Sequence, residues 1–528
     1  GTGLGVGAIA SLIAVASIAV ALGMQARDES ARAVAARDFM LSLFKRADQE
    51  KSRGADITAR ELLQSGRTDL LKRLADQPRL QAELLMGIGT IQRDMGEYVD
   101  ADSTFADAVG LYDRLKMQRE EILARAAHAN VVLRRGQAQR ASALLGEAMA
   151  MAGRPSRDAE LNARLTEVGG WIATIEGDGA RAKDLFGESR SSASKAFGPY
   201  HTKTRDAMRG LIYAERLLRN FDGALALQAE LEAATSRALD KDPREGPALG
   251  DLRADLLDSA GRLAQALSHV SIALPACVKA FGPHDEFCRR LFLRKMRVML
   301  KLGMTGFDSD DQAFVDQLSR DTTSPALRVE ALILQLRIES MRERTPRQDA
   351  LFARVASFGA SGAEVQINPL LKSLAVLSLA EAELRRGHAA AAGKRVDDVL
   401  ERLGSGTTSL PLKSVMAFGE TLMGVSLLQS GQPAAALTWM KQGENDMAAV
   451  YGAQHPLTAM YSVNRAVALA ALGRFREAQD IVTAAQPILG QAMGASAPTY
   501  LRVLRLQGRL ERAQASGATE LFTNDFFS

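Results

Sequence analysis

Apolar residues recur three and four positions apart through long stretches of this 528-residue chain, among them Leu80 to Asp94, Ile122 to Arg135 and Met460 to Leu472. That period is the period of a helix with one buried face. Strand-like alternation bounded by turns is hard to find anywhere. A longer period overlies the first, because a glycine followed five positions later by an alanine punctuates the helical stretches. Clear copies run from Gly96 to Ala101, Gly136 to Ala141, Gly177 to Ala182, Gly261 to Ala266, Gly387 to Ala392, Gly431 to Ala436 and Gly473 to Ala478. Degenerate copies fill the gaps: Arg219 to Ala224 and Thr345 to Ala350 keep only the alanine, and Gly303 keeps only the glycine, with Asp308 in the alanine position. The starts at 96, 136, 177, 219, 261, 303, 345, 387, 431 and 473 lie 40 to 44 residues apart.

A fixed self-similarity of this length predicts a solenoid in which each unit buries its apolar face only against its neighbours. Within a unit, a first helix would end at the glycine, which leaves it with positive φ, and the early alanine would let a second helix pack closely. The chain is therefore expected to be all-α, an array of about ten helical hairpins.

Composition narrows the function. Hydrophobic residues make up 47% of the chain and aromatic residues 5%, which suits alanine- and leucine-rich helix packing. Sixty-six Lys and Arg against 62 Asp and Glu leave a net charge of +4, with no concentrated basic footprint and no nucleic-acid-binding motif, so no nucleic-acid partner is expected. Catalytic signatures are missing as well. The glycines of Gly1 to Gly7 lack the spacing of a phosphate loop, and neither a His-Arg-Asp nor an Asp-Phe-Gly motif occurs. The six histidines do not fall at metal-ligand spacings; His201, His284 and His455 sit in inter-repeat turns and read as turn or cap residues. No catalytic residue, metal or cofactor is expected in this chain.

No charge occurs from Gly1 to Ala26, and Leu4 to Met24 is almost wholly apolar. At 1.5 Å per residue that run spans roughly 31 Å, about the thickness of a bilayer core, so residues 1–26 are expected to form a transmembrane helix. A cleaved signal peptide is the rival, but the stretch has no initiator methionine, no basic n-region and no convincing small-x-small cleavage site before Arg27. Gly3, Gly7 and Ser11 at four-residue spacing would suit helix pairing and hence a homodimer. Residues 27–77 read as a juxtamembrane helical connector, 78–514 as the array and 515–528 as a C-terminal tail.

Around the first copy, Ile88-Gly89, Gly96, Tyr98, Ala101, Phe105 and Ala108 have the order and spacing of the tetratricopeptide (TPR) signature. The last full copy, Tyr451-Gly-Ala-Gln-His-Pro-Leu-Thr458 with Asn464, Gly473, Phe475 and Ala478, resembles the longer repeat of kinesin light chains. The connector carries Ala35-Ala-Arg-Asp-Phe-Met-Leu-Ser-Leu-Phe44, Arg46-Ala-Asp48, Ile57-Thr-Ala-Arg-Glu-Leu-Leu63 and Asp76-Gln-Pro78. It resembles the region after the membrane helix in bacterial transmembrane serine/threonine protein kinases with extracytoplasmic TPR arrays. That resemblance implies a TPR-like α-solenoid serving as the sensor or scaffold part of such a kinase, single-pass in the inner membrane, with a periplasmic array and the kinase domain outside this sequence. A membrane-bound transcriptional regulator and a stand-alone envelope scaffold are the alternatives.

TPR geometry places residues ten, six and three before the glycine on the concave wall, where a protein or peptide ligand would bind. This phase selects Arg93, Asn130 and Trp171 in the first three units, Arg209, Tyr213 and Arg216 in the fourth, and Asp251, Asp255 and Asp258 in the fifth. A basic and aromatic stripe thus precedes an acidic one. The stripes would serve either as lateral ion pairs between neighbouring helices or as a polar groove for a charged ligand. Cys277 and Cys288 are the only cysteines and flank the turn 281–286, where a disulfide would clasp a hairpin and two buried thiols are the alternative.

Overall fold

The computed structural model describes residues 59–153, 158–239, 242–320, 325–359, 368–404 and 410–516. The expected membrane helix at 1–26, the connector up to residue 58 and all but the start of the expected tail lie outside the described residues. Among the described residues every regular element is an α-helix. Contacts group them into two compact units, residues 59–218 with 233–239, and residues 219–232 with 242–516.

The first unit holds α1 (Ala59–Arg73), α2 (Pro78–Asp94), α3 (Tyr98–Arg114), α4 (Gln118–Arg134), α5 (Ala138–Ala152), α6 (Ala159–Glu176), α7 (Gly179–Phe197) and α8 (Thr202–Leu217). Helix α9 (Phe221–Arg237) contributes its last turn here and the rest to the second unit. That unit continues with α10 (Glu245–Ser259), α11 (Leu263–Phe281), α12 (Glu286–Leu302), α13 (Ser309–Leu318), α14 (Pro325–Ser340), α15 (Pro346–Gly359) and α16 (Pro369–Arg385). It ends with α17 (Ala389–Leu403), α18 (Leu410–Gln429), α19 (Pro433–Tyr451), α20 (Pro456–Ala471), α21 (Phe475–Met493) and α22 (Pro498–Ser516).

The repeat works as its residues require. All eight glycines of the period have φ between 71° and 81°, a left-handed turn that costs a side chain energy but glycine none. Arg219, in phase with them, takes the same turn at φ 60° without that freedom. Five residues on, Ala101, Ala141, Ala182, Ala224, Ala266, Ala392, Ala436 and Ala478 are fully buried, the small contact that lets the second helix of each hairpin close on the first. Phe105 of α3 fills the notch at Gly89 of α2, where an added Cβ would come within 3.0 Å of the ring.

Two degenerate copies depart from this scheme. Ala350 is exposed, and Gln348 goes inward instead, its side-chain amide donating to the carbonyl of Glu339 at 2.6 Å. Thr345 there opens α15 by accepting from the Gln348 N–H, and Asp308 likewise caps α13 by accepting from Asp311 N. Without the glycine–alanine pair the start of the second helix shifts: α13 begins six residues after Gly303 and α15 one after Thr345, where the regular copies begin two after the glycine.

The second unit corrects a premise of the solenoid reading, because its hairpins do not pack only on their sequence neighbours. Helix α11 packs on α21, and α12 on α22. Leu257, Leu263, Val298 and Leu302 share one apolar core with Val463, Leu489 and Val503. Gly261 lies under Pro456, and Gly303 under Thr499, so close that a Cβ at either position would collide. The Arg219 guanidinium donates to the Ala449 carbonyl. His455 holds the seam through both nitrogens: Nδ1 accepts from Leu457 N at 3.2 Å, capping α20, so Nε2 carries the proton and donates to the Ser259 carbonyl at 3.1 Å. The curvature accumulated over six hairpins brings the unit's first pair back against its last.

Among the described residues one helix, α11, is long and apolar enough to cross a membrane, with a mean hydropathy of 1.2. It pairs with α10 and α12 in the array, and Val270, Leu274 and Cys277 face the core.

Candidate binding sites in the two units

In the first unit α2, α4 and α6 turn their inner faces to a cavity of about 340 Å³. It gathers Arg93 and Asn130 with Glu167, which the rule also reaches at ten before Gly177, and with Glu160, Arg164 and Lys203, which it does not. Arg93 pairs with Asp94 at 2.8 Å and Lys203 with Asp206 at 3.6 Å, while Asn130 Oδ1 accepts from Arg134. Arg164 lies 3.8 Å from Glu160, and its buried Nε has no hydrogen-bond partner. Burial pushes the Glu167 carboxyl above its usual range, although Lys203, Arg164 and Arg93 oppose that shift.

Trp171 is half-buried outside this cavity, with its ring edge-on to Phe186 at 5.0 Å and beside Tyr213 at 5.5 Å. Tyr213 is 37% exposed, with the Arg216 guanidinium 5.9 Å from its ring centre. Arg209 pairs with Asp206 at 2.8 Å. The structure thus sorts the first six candidates into a charged pocket (Arg93, Asn130) and an aromatic–arginine stack (Trp171, Tyr213, Arg216), with Arg209 tied to the acid that also pairs Lys203.

The acidic stripe lies in the second unit and is engaged by the following hairpin. Arg294 reaches Asp251 at 3.2 Å and Asp255 at 2.6 Å, and Lys301 reaches Asp258 at 2.6 Å. Burial opposes ionisation of Asp258, but Lys301 and the nearby Arg294 and Arg297 outweigh it, so the carboxyl titrates below its usual range. Asp251 and Asp258 each find a cation 43 residues on, one repeat later on the same helix face. These carboxylates are therefore bridges between α10 and α12.

The sulfurs of Cys277 and Cys288 are bonded, with Cα atoms 5.6 Å apart, joining α11 to α12 across their turn. Asp285, which caps α12, lies within 4.8 Å of both.

A mostly apolar cavity in the second unit has no counterpart among the sequence candidates. A cavity of about 510 Å³ opens between α12, α14, α16, α18, α19 and α20. Leu374, Phe418 and Met460 line it, and each lies 13 residues before its glycine, at Gly387, Gly431 and Gly473. These positions continue the ten-six-three stripe one helical turn towards the helix N-terminus. Arg297 and Leu300, six and three before Gly303, occupy positions the rule names. Arg337 also lines the cavity: its Nε donates to the fully buried Glu381 at 2.7 Å, and its guanidinium sits 4.4 Å from the Phe418 ring centre.

Glu420 is buried in α18, and one of its oxygens has no hydrogen-bond partner. Desolvation, with Asp446 adding repulsion, pushes its carboxyl up to about 7.

Helical hairpins with a left-handed glycine turn, a buried alanine and an aromatic knob define a TPR-like repeat array. No family model and no curated protein matches the chain. Among solved structures it is similar to the crystal structure of the APC/C hetero-tetramer Cut9–Hcn1, at 14% identity and a TM-score of 0.33, over 89% of this chain and 96% of that one. It is also similar to the P58(IPK) TPR domain, at 16% identity and a TM-score of 0.23, over 83% of this chain and 99% of that one.

Proposed function

We propose that this chain is the binding region of a membrane-anchored signalling protein of the receptor-like Ser/Thr kinase type, receiving an extended, acidic protein segment on the inner face of its first unit. The charged pocket carries this reading. Arg93, Arg164 and Lys203 converge there with the Asn130 amide, which suits carboxylates and a peptide backbone together. The Trp171–Tyr213–Arg216 stack supplies an amphipathic ledge in the same unit for an apolar side chain. The Cys277–Cys288 bond supports an extracytoplasmic array, since such bonds persist in oxidising compartments. Anchoring through residues 1–26 rests on their uncharged apolar run, and the kinase connection on the sequence resemblance.

Two experiments test it. Fluorescence anisotropy with an acidic peptide set should find ligands whose affinity falls at least tenfold in the Arg93→Glu, Lys203→Glu double variant at unchanged melting temperature; equal affinity refutes the pocket. In intact cells, a Leu239→Cys reporter, at a fully exposed position, should react with a membrane-impermeant maleimide. Reaction only after permeabilisation refutes the extracytoplasmic placement.

A further inference from the structure

The charged pocket of the first unit does not account for the cavity of about 510 Å³ in the second, which lies in the usual size range for small-molecule sites. Its wall is mostly carbon: leucines of α16, Val415 and Phe418 of α18, Met447 of α19 and Met460 of α20. Four charged residues line it, and three are cations, Arg297, Lys301 and Arg337, against the single carboxylate Glu330. Arg297 pairs with Glu330 at 2.7 Å, and Asp258 and Glu381 hold Lys301 and Arg337. A guanidinium has five N–H donors and an ammonium three, so each cation keeps donors beyond its ion pair. The Arg297 Nε is buried with no acceptor. Arg297 thus brings a partly exposed cation with unspent donors to the lining of an apolar chamber.

We infer that this cavity binds an aliphatic monocarboxylate, with its hydrocarbon chain among the leucines, Phe418 and the methionines and its carboxylate at Arg297 and Lys301. An extended peptide fits the wall poorly. Every residue would bring an N–H and a C=O that a carbon lining leaves unpaired, and each such buried group opposes binding. A molecule with one polar end and a long apolar body makes that demand once, where the donors are.

The probe is dodecanoate, held below its micellar concentration and measured by displacement of dansyl-undecanoate, with dodecanol as the uncharged control. The expected result is one site per chain, at least tenfold preference for the acid over the alcohol, and loss of most of that preference in Arg297→Met, which keeps the stem and removes the charge. Leu374→Trp should block the acid and the alcohol alike, with circular dichroism reporting that the helices persist. Arg93→Glu with Lys203→Glu should leave dodecanoate binding unchanged, which separates this site from the first unit's pocket. Three outcomes each overturn the inference: no displacement by dodecanoate from folded protein, equal affinity for acid and alcohol, or displacement by acidic peptides alone.

Discussion

Replacing Glu420 with glutamine should change how the second unit responds to pH. The folded-state carboxyl titrates near 7 and an unperturbed one near 4.5, so the folded protein holds its proton more tightly than the unfolded chain does. A group raised in this way stabilises fully below the unfolded value, and that contribution is lost as pH rises towards the folded one. Each tenfold change in proton affinity is worth about 1.4 kcal/mol, so Glu420 should leave the unit about 2.5 kcal/mol less stable at pH 8 than at pH 5. His455 has the opposite sign: burial holds its imidazole near pH 4, so it destabilises as pH falls below the unfolded value of about 6.5. The two partly cancel in the native protein, and only the difference between wild type and Glu420→Gln isolates the carboxyl. Any fixed cost of the new amide drops out of the comparison between two pH values. Urea unfolding followed by Trp439 in α19, in a Trp171→Phe background that silences the first unit, should show Glu420→Gln gaining about 2.5 kcal/mol on wild type between pH 5 and pH 8. A difference below about 0.5 kcal/mol would show that Glu420 ionises freely and that its environment has been misread.

Cys277→Ser with Cys288→Ser should lower the stability of the second unit by about 3 kcal/mol, as expected for a bond closing a short loop, measured by urea denaturation; no change would mean that the thiols are reduced in the protein as prepared. His455→Ala removes a helix cap and a seam hydrogen bond, so hydrogen exchange should rise at residues 256–262 as well as 455–458, with a loss of about 1–2 kcal/mol; exchange rising at 455–458 alone would refute the seam. Gly210→Ala places a methyl within 2.3 Å of the Phe186 ring and should cost about 1–3 kcal/mol in the first unit's thermal unfolding, whereas Gly146→Ala, with open space around it, should cost far less.

The hairpin is legible in the sequence because its rules are local. A left-handed turn favours glycine, a close crossing favours alanine, and both write themselves at fixed spacing. The candidate sites are legible only at the positions the phase rule reads. It finds Arg93 and Asn130 in the first units and misses Leu374, Phe418 and Met460, because these lie on the same stripe one helical turn before the three positions it reads. The acidic stripe declares ion-pairing groups through its phase, but its partners Arg294 and Lys301 lie nine and two residues before Gly303, outside the ten-six-three positions. The contact of α11 with α21 has no sequence signature, since it depends on the summed curvature of six hairpins. Glu420 is unreadable for a related reason: a glutamate in a helix declares nothing about burial until its neighbours are known.

The return of the second unit's end to its beginning also bears on how it folds. A linear repeat stack can nucleate anywhere, fray from its ends and survive the loss of a terminal repeat. Here Ser259 and His455 are 196 residues apart in sequence, and contacts of that span are slow to form because so much chain must be ordered before they repay it. Helices α21 and α22 therefore act as a keystone rather than a cap. Removing them strips the partners from α11 and α12, so truncation should abolish cooperative unfolding of the whole unit rather than shorten it by one repeat.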